Sequence, residues 1–366
     1  MILEKGQISS AQLFFLVNCF IQGALLPLNF AYPISKHDTW LAVIAAMIIG
    51  SVIALVYISL AGLFPGQNLV QINDLIYGPY LGKFISLQYI LFFLMTLSGY
   101  LWFISDFVLT FIMPETPISS IMIMFSFICA WAVRQGIEVI TRMSVVFSVI
   151  PASIVFITFA LLLKDMEFTN LLPLFESPPG DLFQSTHIIM HISFSQVLVF
   201  LMVIPYVNKQ GPSKTPILLG MLSGGMVILV SSIRNIAALG PLSGIVTSPS
   251  LEAVRLINIG KILTRLEILV AMAEILLLFI ISCVFYYATV LGLAHISKLR
   301  TYVPLVVPIG ILSIILSLLS YESRMQVSHS IMYITPIVSL YFYIVLPFMS
   351  LIVAKLRKLP RNKGRN

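Results

Sequence analysis

The chain has 366 residues, of which 59% are hydrophobic and only 10% are charged. About a quarter of the residues in a soluble globular domain are charged and under half are apolar, so this composition excludes an ordinary soluble enzyme. The net charge of +7 comes largely from a basic tail at residues 355–366, and basic clusters beside a membrane helix usually contact anionic lipid rather than nucleic acid.

Ten long apolar stretches dominate the chain and predict an all-α integral membrane protein. The hydrocarbon core of a bilayer is about 30 Å thick, so a spanning helix needs roughly 20 apolar residues. Backbone groups that face lipid must be hydrogen-bonded within their own segment, so such stretches form helices. We number them helices 1 to 10 and predict them at residues 10–33, 40–63, 84–112, 118–134, 142–163, 188–207, 214–236, 266–292, 303–320 and 331–353.

Lysine and arginine residues predict the orientation, since cytoplasmic loops carry the excess of these residues. Most of the 21 lysines and arginines fall on the inner side if the N-terminus is inside. Both termini are therefore predicted to be cytoplasmic, consistent with an even number of spans. Residues 1–354 are predicted to form a single transmembrane domain, followed by the basic cytoplasmic tail at 355–366.

The ten helices divide into two halves of five, at about 8–163 and about 187–354. Because five is odd, the second half enters the membrane with opposite polarity, which is the arrangement of an inverted-topology repeat. In such proteins the first helix of each half is broken and the ligand binds near the breaks. Helices 1 and 6 are therefore the first places to look for ligand-binding residues.

Helix 1 contains Gly23 and, four residues later, Pro27. Proline removes a backbone donor and clashes with the carbonyl four residues earlier. A break near Gly23 would expose the amides of Ala24 and Leu25 at a half-helix N-terminus, where a carboxylate can bind. A simple kink is the alternative, since glycine and proline are common in membrane helices.

Helix 6 carries Ser193, Ser195 and Gln196 in an otherwise apolar run. Such side chains can satisfy backbone groups that a helix break leaves unpaired. Ordinary hydrogen bonding between helices is the alternative. Since the first helix of both halves carries a candidate break, we predict that these three polar residues and the residues after Gly23 contribute to a ligand site.

Two acidic residues, Asp106 of helix 3 and Glu274 of helix 8, lie within the predicted spans. A charge deep in a bilayer costs several kcal/mol, which suggests a functional role. Counted from the outer helix ends at 1.5 Å per residue, the acids lie roughly 9 Å and 12 Å deep. Either they contact the ligand or they form structural ion pairs with Arg234 or Arg265, and the sequence leaves both possibilities open.

No sequence pattern indicates enzymatic chemistry, a cofactor or a metal. His187 and His191 are four residues apart but lack an evident third ligand. No HExxH, Walker or GxSxG motif occurs. The three cysteines lie in apolar segments and are interpreted as small hydrophobic residues. We therefore expect a protein that binds or moves a small solute without catalysis.

The outer loop at residues 237–265 contains a short helix-like run at residues 251–257. Ser250 is predicted to cap this short helix, with Glu252 near its positive end. The loop is either a simple connection or a lid above an outward-facing site.

Short motifs are spread along almost the whole chain in a fixed order. They are Ile8-Ser9 with Gln12, Gly23 to Pro27, Asp38-Thr39-Trp40, Pro114-Glu115-Thr116-Pro117, Gly136 with Arg142, Pro205-Tyr206, Arg234-Asn235 with Gly240-Pro241-Leu242, and Thr264-Arg265-Leu266-Glu267. In this order and spacing they resemble the endospore germination permease family, the B-subunits of bacterial nutrient germinant receptors. That family belongs to the amino acid–polyamine–organocation superfamily.

The resemblance implies a LeuT-like fold with the ligand held among helices 1, 3, 6 and 8. It also implies a receptor of the spore inner membrane that senses a small nutrient, such as an amino acid, together with an A-type membrane subunit and a C-type lipoprotein. A secondary amino-acid transporter of the plasma membrane is the alternative, and a channel or scaffold subunit without its own ligand is a third.

The chain departs from the family pattern at two positions that bear on energy coupling. Relatives often carry an acid in a Phe-Gly-Glu-like stretch of helix 6, where this chain has Phe194-Ser195-Gln196. Helix 5 lacks the buried lysine that some members of the superfamily use in place of a cation. The resemblance therefore does not imply coupling to protons or cations through these two positions.

Overall fold

A computed structural model describes residues 4, 6–208, 214–257 and 266–359, and every regular element within them is a helix. One isolated parallel bridge, between Ile8 and Val207, is the β-type contact in this part of the chain. The apolar stretches thus form an all-α bundle, as predicted.

Nine of the described helices have at least 18 residues and are apolar enough to span a membrane, and helix 4 is an apolar helix of 17 residues. Helix 6 begins earlier than predicted, because its first turns are too polar for an apolar run to reveal. The observed bounds are Ser10–Gln22 and Pro27–Phe30 for helix 1, Thr39–Leu63 for helix 2, Leu81–Phe111 for helix 3, Ile118–Arg134 for helix 4, Ile137–Leu162 for helix 5, Pro179–Ile192 and Phe194–Met202 for helix 6, Lys214–Leu239 for helix 7, Leu266–Ile296 for helix 8, Val303–Ser320 for helix 9 and Arg324–Leu356 for helix 10.

The packing of the helices repeats when the two halves are exchanged. Helix 1 packs against helices 5 and 7, and its counterpart helix 6 packs against helices 10 and 2. Helix 3 packs against helix 9, helix 8 packs against helix 4, and helices 3 and 8 pack against each other. This correspondence is expected for an inverted repeat of five plus five helices.

Two glycines of helix 7 bring it close to helix 1. A Cβ atom added at Gly220 would lie 2.9 Å from the carbonyl oxygen of Phe14, and one added at Gly224 would lie 2.8 Å from the Cβ of Ile21. Small residues four positions apart let the backbones of membrane helices approach closely. The part of helix 1 that precedes its break is therefore held in a tight interface.

We expect Gly224→Val to lower the amount of protein in the membrane several-fold, because the new side chain would meet the Ile21 side chain and the Asn18 carbonyl. Overpacking of this kind typically costs about 1–3 kcal/mol. Immunoblots of membrane fractions measure the amount. Gly62→Val is the matched control, since a Cβ there meets nothing within 4 Å, and equal amounts of the two variants would contradict the interface.

A short helix that we did not predict, Leu69–Tyr77, connects helices 2 and 3. It begins with a capping box: Gln71 N donates to the Asn68 side chain at 3.1 Å, and Asn68 N donates to the Gln71 side chain at 3.0 Å. The pair Asn68 and Gln71 is visible in the sequence and would have indicated this helix.

The short helix of the outer loop spans Pro249–Arg255 and begins earlier than predicted. Ser250 therefore lies inside the helix, and the prediction that it caps the N-terminus is wrong. Its hydroxyl accepts a hydrogen bond from Asn235 Nδ2 of helix 7 at 3.0 Å. Proline starts the helix one position before the serine because its fixed φ suits the first helical turn.

Candidate ligand-binding site

Helix 1 breaks at Gly23, as predicted. Its α-helical part ends one residue earlier, and a 3-10 helix begins at Pro27. The amides of Ala24 and Leu25, however, each donate to the carbonyl three residues earlier, at 3.1 Å and 2.9 Å. The prediction that these amides are open to a carboxylate is therefore wrong for this conformation, because the turn after the break uses both of them.

Helix 6 also breaks as predicted. Its α-helix ends at Ile192, Ser193 has φ −128° and ψ −80°, and a 3-10 helix follows over Phe194–Met202. The Ser193 hydroxyl donates to the carbonyl of Ile21 in helix 1 at 3.4 Å. The two breaks thus touch each other.

Ser195 and Gln196 are buried just after the break in helix 6. The Tyr100 hydroxyl of helix 3 donates to Gln196 Oε1 at 2.8 Å. The carbonyl of Ser195 accepts from the Tyr57 hydroxyl at 3.3 Å, whereas the Ser195 hydroxyl has no partner in the described part of the chain. With the Gln196 oxygen engaged, its Nε2 is the group that remains to donate to a ligand.

A cavity of about 440 Å³, which we call the break cavity, lies among helices 1, 3, 6 and 10. Small-molecule sites have volumes of about 300–1,000 Å³. Pro27 at the helix 1 break, Tyr100 and Gln196 all line it. The other lining residues are mostly apolar or aromatic: Gln88, Leu91, Phe92, Met95, Thr96, Gly99, Phe103, His191, Ile192, Tyr321, Val327, Ile331, Ile334, Thr335, Val338, Tyr341 and Phe342.

His191 is a buried polar side chain that lines the break cavity. It is only 6% exposed, and its Nδ1 atom has no hydrogen-bond partner among residues 6–208, 214–257 and 266–359. Its ring lies 6.2 Å from that of Tyr343. His191 and Gln196 lie on either side of the break at Ser193 and both line the cavity, so two hydrogen-bonding side chains lie on its helix 6 side.

Helix 10 forms a wall of the break cavity and is irregular there. It contains two π-helical segments, Ser330–Ile334 and Tyr341–Val345, and each contributes lining residues. Phe342 of the second segment stacks on Phe92 of helix 3 with ring centroids 4.2 Å apart. Single turns of π-helix are frequent at functional sites. The family resemblance implied helix 8 as a wall, but the described lining residues come from helix 10 instead.

Asp106 lies outside the break cavity, in a separate outer cavity of about 210 Å³. Its carboxylate is 3.3 Å from the guanidinium of Arg324 at the start of helix 10. The predicted partner Arg234 is therefore wrong for Asp106. Arg265 itself lies outside the described residues.

We expect Asp106→Asn to change the stability of the protein by less than about 1 kcal/mol, because ion pairs with one exposed partner contribute little. The Arg324 side chain is 39% exposed and that of Asp106 is 13% exposed. Thermal unfolding of the purified variant measures this change. A strong loss of stability that Arg324→Gln also produces would show that the pair holds helices 3 and 10 together.

Glu274 lies in a third place, enclosed by helices 1, 5, 7 and 8. It shares a void of only about 10 Å³ with Arg234 and Leu25, which is at most room for one water molecule. Its Oε2 atom has no hydrogen-bond partner among the residues that the structure describes. The structure therefore keeps Glu274 away from the break cavity.

Arg234 is fully buried beside Glu274 and is held by neutral side chains. It donates to the Thr158 hydroxyl at 2.6 Å, to the Ser231 hydroxyl at 3.2 Å and to Asn235 Oδ1 at 3.1 Å and 2.9 Å. This network joins helices 5 and 7. The guanidinium of Arg234 and the carboxylate of Glu274 line the same void but do not approach within 4.0 Å, so the predicted direct ion pair between them is not formed in this conformation.

The predicted site residues are thus divided among several places. Gln196 lines the break cavity, and Ser193 joins the two breaks. Sequence reasoning missed Tyr100 and the residues of helix 10, although the polar run Thr96 to Tyr100 in the apolar helix 3 was a visible signal. The remaining placements are Gly23 against helix 8, Ala24 in the core, Ser195 behind the break, Leu25 and Glu274 at the small void, and Asp106 in the outer cavity.

Residues 7–325 match the model of a protein family described as spore germination protein. Spore germination protein KB of Bacillus subtilis (strain 168) is 24% identical over 368 residues, which cover 99% of this chain and 98% of that protein. Spore germination protein YndE of the same strain is 24% identical over 348 residues, which cover 91% of each chain. The similarity to these relatives extends past the family match and into helix 10.

Two solved transporter structures have a similar fold. Mhp1, a nucleobase-cation-symport-1 family transporter in a closed conformation with bromovinylhydantoin bound, gives a TM-score of 0.74 at 13% identity, covering 99% of this chain and 83% of that chain. MhsT in complex with L-phenylalanine gives 0.65 at 14% identity, covering 96% and 89%. These likenesses confirm the LeuT-like fold.

Proposed function

The chain belongs to the spore germination permease family, and from this membership we propose that it is the membrane subunit of a nutrient receptor that triggers spore germination. Its family and its transporter-like fold indicate a permease-like membrane protein rather than an enzyme. In the proposed role it binds a small nutrient in the break cavity, and its response to that nutrient starts germination.

The observation that carries this proposal is the contact between the two helix breaks beside the break cavity. Ser193 of helix 6 bonds to the carbonyl of Ile21 in helix 1, and Gln196 lines the cavity with its amide oxygen held by Tyr100. A ligand that hydrogen-bonds to Gln196 would contact helix 6 directly and would affect helix 1 through the hydrogen bond of Ser193 to Ile21. Binding energy that differs between two arrangements of these helices would shift their populations.

We further propose that the receptor lies in the spore inner membrane with both termini in the cytoplasm. The family resemblance supports a complex with an A-type membrane subunit and a C-type lipoprotein. The basic tail at 355–366 would contact anionic lipid at the cytoplasmic surface. Co-purification of the three proteins from spore membranes tests the complex.

Gln196→Ala should raise the nutrient concentration needed for half-maximal germination about tenfold or more, since a lost hydrogen bond in a buried site costs about 1–3 kcal/mol. The test nutrient is identified beforehand: it is a compound that triggers germination of parent spores but not of spores that lack the gene. Tyr100→Phe should give a smaller shift, because it removes only the hydroxyl that orients Gln196. Gln135→Ala, at an exposed glutamine outside the cavity lining, is the control for a glutamine-to-alanine change. Unchanged sensitivity of Gln196→Ala spores at normal protein levels would contradict the proposed site.

A secondary transporter is the second candidate function, favoured by the transporter folds of Mhp1 and MhsT. The two functions differ in whether the nutrient crosses the membrane. Uptake of labelled nutrient into proteoliposomes would favour the transporter, and saturable binding without uptake would favour the receptor.

A further inference from the structure

The described lining of the break cavity includes no charged side chain that would balance a charged ligand. Among its described lining residues there is no aspartate, glutamate, lysine or arginine. An uncompensated charge within a membrane protein costs several kcal/mol. A zwitterionic ligand would bring two such charges into this cavity.

The backbone at the helix 1 break does not replace the missing charges. A half-helix N-terminus can bind a carboxylate through unpaired amides. The amides of Ala24 and Leu25 already donate to the carbonyls of Ile21 and Gln22. A carboxylate at this break would therefore have to displace existing hydrogen bonds.

What the break cavity does offer is an aromatic wall and a small polar end. Phe92, Phe103 and Phe342 line it. The amide of Gln196 and the Nδ1 atom of His191, which has no hydrogen-bond partner in the described part of the chain, lie on the helix 6 side. Aromatic faces favour flat, apolar partners. A buried polar atom without a partner is destabilising until a ligand or water bonds to it.

From these features, and resting on the proposed nutrient-binding function, we infer that the break cavity takes a neutral, mostly apolar ligand with a ring and a hydrogen-bonding group at one end. The hydrogen-bonding group would meet His191 and Gln196, and the ring would lie between the aromatic side chains. Zwitterionic amino acids fit the outer cavity better, where Asp106 and Arg324 supply one charge of each sign.

Two probes that share an indole ring test this inference. Tryptophol carries a neutral hydroxyethyl chain, and L-tryptophan carries a zwitterionic group in its place. Binding is measured by calorimetry on the full-length protein in lipid nanodiscs, with empty nanodiscs as the background. We expect tryptophol to bind at least tenfold more tightly than L-tryptophan. Gln196→Ala should weaken tryptophol binding about tenfold, and Gln135→Ala, at the exposed control position, should not change it.

The outcomes separate failure of the ligand class from failure of the proposed function. Tighter binding of L-tryptophan that Gln196→Ala abolishes would overturn the neutral class but keep the nutrient site. Tighter binding of L-tryptophan that is lost in Asp106→Asn or Arg324→Gln would overturn the inference and move the ligand to the outer cavity. Binding of neither probe above the empty nanodiscs, as when a lipid chain fills the cavity, would also overturn it. The nutrient response of Gln196→Ala spores tests the proposed function separately.

Discussion

Spores that carry Gly23→Leu should fail to germinate at nutrient concentrations that saturate the response of the parent. A Cβ atom at this position would overlap Cδ1 of Ile281 in helix 8 and would lie 2.9 Å from its Cγ1. The turn after Gly23 leads to Pro27, which lines the break cavity. A larger side chain therefore forces helix 1 and helix 8 apart at the helix 1 break, four residues before Pro27. Germination curves measure the response, and immunoblots measure whether the protein still inserts.

A paired substitution tests whether the overlap with Ile281 causes the loss of germination. The atoms that meet the new Cβ belong to the end of the Ile281 side chain, so shortening that side chain makes room. We expect Gly23→Ala to impair the response and Gly23→Ala/Ile281→Ala to recover part of it. A double variant as impaired as Gly23→Ala alone would show that the close approach to Ile281 is not what Gly23 provides. A normal response of Gly23→Leu spores would show that the helix 1 break is not needed for the response to the nutrient.

The features that the sequence predicted well are local ones. A run of about 20 apolar residues must be helical in lipid whatever surrounds it, so all ten helices were found, although helices 6 and 10 begin nine and seven residues earlier than predicted. The breaks were found for a similar reason. Gly23 with Pro27, and the polar residues after Ile192, weaken a helix through their own backbone and side-chain chemistry.

The features that the sequence did not predict depend on which helices meet. Asp106 pairs with Arg324, which is far away in the chain and adjacent only because helices 3 and 10 pack around the break cavity. The use of the Ala24 and Leu25 amides within the turn is equally invisible, because a break signal does not say how tightly the turn closes. The π-helical segments of helix 10 have no sequence signal that we recognise.

The largest loss of stability is expected for Arg234→Met. Arg234 is 1% exposed and donates to Thr158, Ser231 and Asn235, and it shares a closed void with Glu274. A buried charge left without compensation typically costs about 3–5 kcal/mol, and Arg234 is the positive charge that lines the same void as the Glu274 carboxylate. Folded proteins are stable by only about 5–15 kcal/mol. The amount of Arg234→Met protein in the membrane should therefore fall about tenfold or more, since even 1–2 kcal/mol can change abundance several-fold.

Neutralising both residues should restore part of this loss. In Arg234→Met/Glu274→Gln no carboxylate remains to be compensated, so the double variant should be more stable than Arg234→Met, as measured by thermal unfolding of the purified proteins. Thr158→Val is a graded control that removes only the hydroxyl bonded to Arg234 at 2.6 Å, and it should cost about 1–3 kcal/mol. A double variant no more stable than Arg234→Met would show that Glu274 is not the charge Arg234 balances. A shift of nutrient sensitivity in Glu274→Gln spores at unchanged protein level would instead give Glu274 a role in the response, despite its distance from the break cavity.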